Sequence, residues 1–259
     1  MTMITILKHT QCVFFAFFFL ALLSHDVIAA NQKDQQKVQS TQAQSHNSTK
    51  NQEDEQRESE NRLMYRPPQR GAPMGRLAGG TRGPADEIPF ICALVPEHVG
   101  LTQMSQPNLY WYISEPSPHE VVLTVNSDET VLPLLETALV RPKEAGVQTI
   151  KLSDFDISLE KEHIYTWFVA LVPDPKNRSK DILTRGGIRL ASLSEDVRNS
   201  LRVQSAEEQA IIYAEQGLWY DALQALMNLV QETSGDTFAV QQAEKLLQQA
   251  KIPESVTID

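Results

Sequence analysis

The sequence predicts a mainly-β protein with a helical C-terminus: an antiparallel β-sandwich followed by a helical hairpin. Three observations carry that class. Across 88–192, short apolar runs alternate with clusters of Pro, Gly, Asn and Asp, the punctuation of strands joined by tight turns. No helical period competes over that span. Past Ser192 the apolar spacing changes to that of an amphipathic helix and holds to about Ala250.

Strands are expected at 89–95, 108–114, 120–125, 130–136, 146–152, 163–172 and 187–191. Leu109-Tyr-Trp-Tyr-Ile113 and Tyr165-Thr-Trp-Phe-Val-Ala-Leu171 are aromatic and β-branched, suited to a half-buried pleat. Pro116-Ser-Pro118, Asn126-Ser-Asp128, the 141–146 segment and Pro173-Asp-Pro175 supply turns between strands. Trp111 and Trp167 stand on apolar faces by alternation, so they are expected to fill the core. An immunoglobulin or fibronectin-III type of sandwich fits this order best.

The helices follow in turn. A short one is expected at 194–203. Ser205-Ala-Glu-Glu208 is a capping box that opens a second, and Gly217 closes it as a C′ glycine. The next, 218–232, lines up Trp219, Ala222, Leu223, Leu226, Leu229 and Val230 on one stripe. Ser234-Gly-Asp236 breaks the chain before a last helix at 237–250. The 210–232 pair is similar to one tetratricopeptide repeat, with Ala210, Tyr213, Gly217, Ala222, Leu226 and Leu229 at its small and large positions. A single copy cannot bury its own face. That face either packs on the sandwich or receives a partner, with Trp219 and Tyr220 the candidate partner-binding residues.

The N-terminal third reads differently. Residues 1–30 have the form of a secretory signal: Lys8 and His9, an uncharged run of 12 residues from Cys12 to Leu23, then small residues to Ala30. Such a run falls short of the roughly 20 residues that span a bilayer as a helix; a retained anchor is the alternative. Residues 31–61, rich in Gln, Ser, Asn, Lys and Glu, lack the apolar surface to offset ordering entropy and are expected to be a disordered linker. Signal removal leaves Cys92 as the one thiol, in an apolar run that suits a buried structural cysteine.

Between linker and sandwich lies a Gly- and Arg-rich collar, 62–87. Residues 62–84 hold five arginines and no acid, whereas 85–259 hold 13 Lys and Arg against 26 Asp and Glu. A folded part this acidic disfavours nucleic acid as a partner. Two uses of the collar stay open: lying back on its own acidic domain, or binding an external anion through Arg70, Arg76 and Arg82.

The collar, Leu101-Thr102, the Leu109-Tyr-Trp-Tyr strand and the turn Asp174-Pro-Lys-Asn-Arg-Ser-Lys-Asp181 occur in one order. That order resembles the bacterial domain-of-unknown-function family 928, over most of the chain from about Arg70. Members usually carry a cysteine before the Asp-Pro pair, where this chain has Val172 and Pro173, so no bridge or metal role carries over. The resemblance implies an architecture and leaves activity open.

Chemistry is hard to place. His46, His98, His119 and His163 fall in no zinc-binding frame, and there is no nucleophile elbow, phosphate loop or dinucleotide fingerprint. Asp154 to Glu160 mimics the acid spacing of a calcium loop, but Leu159 and Tyr165 occupy the places of its glycine and glutamate. In the 174–181 turn, Arg178 is expected to bond Asp174 or Asp181. No catalytic, cofactor or metal residue is assigned and no cofactor is expected. The reading is a secreted or periplasmic, non-catalytic binding or adaptor module of the cell envelope. Its partner would be an envelope protein or an anionic polymer, with no membrane span after signal removal. Two alternatives remain: an envelope hydrolase built from scattered groups such as His163 with Asp154 or Asp156, and a structural component of a larger assembly.

Overall fold

Side-chain alternation writes the two longest central strands. In β5 (Glu120–Ser127) and β8 (Ile164–Val172), buried residues alternate with half-buried ones at one end. At the other end, where both faces are covered, the runs are apolar throughout, as Val121-Val-Leu123 and Val169-Ala-Leu-Val172 show. The computed structural model describes residues 63–68, 78–79, 89–232 and 237–258. The expected signal at 1–30, the expected linker at 31–61, most of the collar with Arg70, Arg76 and Arg82, and the expected Ser234–Asp236 break lie outside the described residues.

The fold is mainly β with helices at the C-terminal end, arranged as two open sheets and a helical layer. One sheet has the order β1-β2-β4-β7, formed by Ala78–Gly79, Ile91–Ala93, Asn108–Ile113 and Gly146–Lys151, all antiparallel. The other has the order β3-β9-β8-β5-β6, adding β3 (Gly100–Thr102), β9 (Ile182–Leu190) and β6 (Leu135–Leu139). Side chains from both sheets and from the helices fill a single core cluster that contains Trp111 and Trp167. The Ala93 amide of one sheet donates to Thr184 Oγ1 of the other at 2.7 Å. Cys92 is buried beside it.

Three features depart from expectation. The second sheet is mixed: β3 runs parallel to β9, pairing Leu101 with Arg189. A strand of three residues is too short for periodicity to reveal, and its partner lies 88 residues away, Leu101 against Arg189. The strand expected at 130–136 starts instead at Leu135. Pro133 has no N–H for a ladder, and residues before it turn, Thr130 Oγ1 donating to the Leu132 carbonyl at 2.8 Å. The last strand begins at Ile182, five residues before the expected Gly187.

The helices are α1 (Glu195–Leu201), α2 (Ala206–Glu215), α3 (Trp219–Glu232) and α4 (Thr237–Gln249). The capping box forms: Ser205 Oγ accepts from the Glu208 amide, and Glu208 Oε2 accepts from the Ser205 amide. At the far end of α2 the Gly217 amide donates to the Ala214 carbonyl and the Leu218 amide to the Tyr213 carbonyl, a Schellman pair. Gly217 has φ +74°, the left-handed conformation that closure requires. α2 packs on α3, α3 on α4, and α3 also lies against β3 and β4. Among the described residues no helix is long and apolar enough to cross a membrane.

Candidate functional site

Helix α3 begins two residues after Gly217, and its first three residues are all interior: Trp219 is 0%, Tyr220 1% and Asp221 2% exposed. A helix normally buries one stripe. Here the first turn is enclosed on more than one side, so consecutive side chains each find a buried partner. Trp219 Nε1 donates to the Leu94 carbonyl at 2.9 Å. Tyr220 Oη donates to the Gly187 carbonyl at 3.0 Å and accepts from Trp167 Nε1 at 3.0 Å. The Asp221 carboxylate accepts from the Gln103 amide at 3.2 and 3.3 Å. Gln103 Nε2 in turn donates to Tyr213 Oη at 3.0 Å.

Trp219 and Tyr220, the candidate partner-binding residues, are therefore interior anchors, covered by the chain's own residues. Trp219 lies on the apolar stripe of α3, a helix that packs against β3 and β4. Asp221 was not anticipated, because an acid in a first helical turn is ordinarily a solvated complement to the helix dipole. Burial pushes its pKa up to about 6, while hydrogen bonds from Thr102 and the Gln103 amide pull the other way. Burial likewise pushes the Tyr220 phenol far above its ordinary range.

The start of the collar also packs on the helices. Leu63 and Tyr65 are buried, while Met64 and Arg66 between and after them are exposed. This alternation is that of an extended strand. The Leu63 amide donates to Gln242 Oε1 at 3.3 Å and the Tyr65 amide to Gln249 Oε1 at 2.6 Å. Gln249 Nε2 donates back to the Leu63 carbonyl at 3.1 Å, and the Arg66 amide to the Ala214 carbonyl at 3.0 Å. The Tyr65 ring meets Trp219 edge-on at 5.1 Å and stacks on His98 at 5.9 Å. A Cβ at Gly217 would stand 2.7 Å from the Arg66 carbonyl oxygen, so the same glycine closes α2 and admits this segment. Of the two uses left open for the collar, its described first part lies back on its own domain. The contact is made by apolar side chains and backbone amides, with no arginine–acid pair among those described.

The most exposed apolar surface lies at the opposite end of the second sheet. Val131, Leu132, Leu134 and Val140 flank β6, with Leu132 77% and Val140 89% exposed. β6 is the last strand of its sheet and pairs only with β5 among the described residues. Between β6 and β7 runs a groove of about 260 Å³, lined by Trp111, Leu139, Val140, Pro142, Ile150 and Phe155 with Lys151 and Asp154 at its polar side. Single exposed apolar residues are ordinary; several at the two ends of one outermost strand, with a groove beside Val140, single this edge out from the rest of the described surface.

The groups weighed for chemistry are dispersed. His163 lies between Asp128, 3.4 Å from Nδ1, and Glu129, 3.2 Å from Nε2; its carboxylate partners are these two rather than Asp154 or Asp156. Asp156 ends a short 3-10 turn (Leu152–Phe155) in the left-handed conformation. In the 174–181 turn, Arg178 Nε bonds Asp181 at 2.6 Å, and Lys180 lies 3.7 Å from Asp174. Among the described residues no group of three or more His, Cys, Asp or Glu is placed to hold a metal ion.

No curated protein matches the chain. Among solved structures, the chain is similar to astrotactin-2, described as a conserved vertebrate-specific and perforin-like membrane protein involved in neuronal development. The likeness is 10% in sequence identity, with a TM-score of 0.25 over 67% of this chain. This chain spans only 37% of that structure's length. A family model, Domain of Unknown Function (DUF928), matches residues 77–258, which include the two sheets and four helices of the described residues and the buried Trp219–Tyr220–Asp221 turn. This chain belongs to the Domain of Unknown Function (DUF928) family.

Proposed function

We propose that the protein is an exported, non-catalytic binding module of the bacterial cell envelope. In this reading the two sheets form an immunoglobulin-like sandwich, the C-terminal helices a hairpin docked on it, and an N-terminal signal delivers the chain. The observation that carries the binding role is the solvent-facing Val131, Leu132, Leu134 and Val140 at the ends of β6, whose outer edge pairs with no strand among the described residues. Apolar side chains at an unpaired edge favour a protein that adds a strand or fills the β6–β7 groove. Residues 85–259 carry twice as many acids as bases, 26 against 13. Long-range repulsion from that charge disfavours an anionic polymer at this surface. Such a polymer would have to use Arg70, Arg76 and Arg82 of the collar instead.

The test is fractionation followed by crosslinking in the source cells. The protein is expected in the envelope fraction, beginning near Asn31, and to crosslink to one protein species. That crosslink is expected to be lost with Leu132→Lys plus Val140→Lys and kept with Arg70, Arg76 and Arg82 changed to Ala. Recovery in the cytosol, or a crosslink indifferent to both sets of substitutions, would reject the proposal. Hydrolysis of an envelope substrate that disappears with His163→Ala would replace it with the hydrolase reading.

A further inference from the structure

The segment 63–68 lies extended in a trough, held by buried side chains and by hydrogen bonds to its backbone. Its partners on α2 and α4 lie far away in sequence, with 179 residues between Leu63 and Gln242 and 184 between Tyr65 and Gln249. Two side chains at alternate positions are buried and the backbone is read by two glutamine amides, the pattern by which proteins grip extended peptides. Gln242 is itself 1% exposed, so its amide belongs to the floor of the trough. The trough also lies within the span matched by the family model, 77–258, whereas the occupant lies outside it. The family domain supplies the walls, and the N-terminal extension of this chain supplies what fills them.

We propose that the trough formed by His98, Ala214, Gly217, Trp219, Gln242 and Gln249 is an exchangeable peptide site, and that a second copy of this chain fills it with its own residues 63–68 in a reciprocal dimer. The occupant's chemistry is an apolar anchor, an aromatic anchor two residues on, and a Pro-Pro end, as in Leu63-Met-Tyr-Arg-Pro-Pro68. A second copy brings that sequence by definition, and each chain offers one segment and one trough, so the exchange closes with two-fold symmetry. Nine residues, 69–77, join the segment to β1, a length that reaches about 30 Å when extended. A connection that short gives the chain's own segment an effective concentration on the order of millimolar. Exchange in the native protein therefore appears only at comparable concentration, and faster wherever the chain is locally concentrated. The proposal does not depend on the β6 surface.

Two complementary variants of the full chain test it. Leu63→Asp with Tyr65→Ala leaves the trough and removes the occupant; Gly217→Val leaves the occupant and blocks the trough. Each alone is expected to sediment as a monomer at micromolar concentration, and the two mixed as a one-to-one heterodimer that a synthetic peptide of residues 62–69 dissolves. Gln249→Ala, on the outer side of the trough, serves as the blocked partner if Gly217→Val fails to fold. Paired with the segment-disabled variant, it is expected to form the same heterodimer at protein concentrations about tenfold above the peptide's half-saturation point for that variant. Folded variants that stay monomeric when mixed, including a case where the peptide binds and no heterodimer forms, overturn the exchange. Leu132→Lys with Val140→Lys leaves heterodimer formation unchanged, so failure here and failure of the envelope-binding proposal are read separately.

Discussion

Trp167 and Tyr220 are joined by a hydrogen bond in which the indole Nε1 donates to the phenol oxygen at 3.0 Å, entirely inside the protein. Tyr220 passes the interaction on, its own hydroxyl donating to the Gly187 carbonyl at 3.0 Å. One phenol thus ties β8, β9 and α3 together. The first turn of α3 is in this way fixed to the second sheet by a polar contact as well as by apolar packing.

Tyr220→Phe removes that hydroxyl and leaves the Trp167 N–H without its acceptor. A buried polar group stripped of its partner costs about 1–3 kcal/mol. Urea unfolding of the variant is expected to show a loss of that order with the slope unchanged. A loss below about 0.5 kcal/mol would mean that another group satisfies the indole.

Burial pushes the pKa of the Asp221 carboxyl up to about 6 in the folded chain, from its ordinary 3.8. Below the lower value both states hold the proton. Between the two, the unfolded chain has released it and the folded chain has not, so the unfolded state gains as pH rises. The stability contributed by this group is full at low pH and lost on passing through pH 6, by about 3 kcal/mol in all. Asp221→Asn is expected to gain on the parent by that order between pH 4 and pH 7. Parallel stability curves would show that Asp221 ionises normally.

A Cβ placed on Gly186 would stand 2.7 Å from the Trp167 indole. Gly186→Ala must push a fully buried ring, which costs about 1–3 kcal/mol in a well-packed core. Pairing it with Trp167→Leu relieves the clash, so a double-mutant cycle is expected to show coupling of at least about 0.5 kcal/mol. Additive effects would place the strain elsewhere.

Leu132→Lys and Val140→Lys change side chains that touch mostly water. Their effect on unfolding free energy is expected to stay within about 0.5 kcal/mol, and solubility to improve. A large destabilisation would mean that these residues pack in the folded chain and do not form a contact surface.

Much of the fold is legible because it is local. Ser205 and Glu208 sit three residues apart and cap α2 whatever surrounds them. Gly217 ends the helix because it adopts φ +74° without a side-chain penalty. The strands around Trp111 and Trp167 announce themselves by composition, and both rings are interior. Where a local signal was short or ambiguous, the reading slipped. Leu101 gives no hint of a parallel partner, and the apolar run at 131–135 looked like a strand although Pro133 interrupts it.

The candidate site was less legible. Trp219 belonged to an apolar stripe, and a stripe has the same spacing whether a sheet or a stranger covers it. Asp221 offered a charge, with nothing in its neighbours to say that water is excluded.

The order of elements, the mainly-β class, the helix caps and the acidic charge of the folded part are written in residues a few positions apart. Which faces meet was decided only by tertiary structure. Leu63 finds Gln242, Trp167 finds Tyr220 and Gln103 finds Asp221 across 179, 53 and 118 residues. The physical reason is range: periodicity and capping act within one turn or one pleat, whereas burial depends on every surface that competes to cover a face.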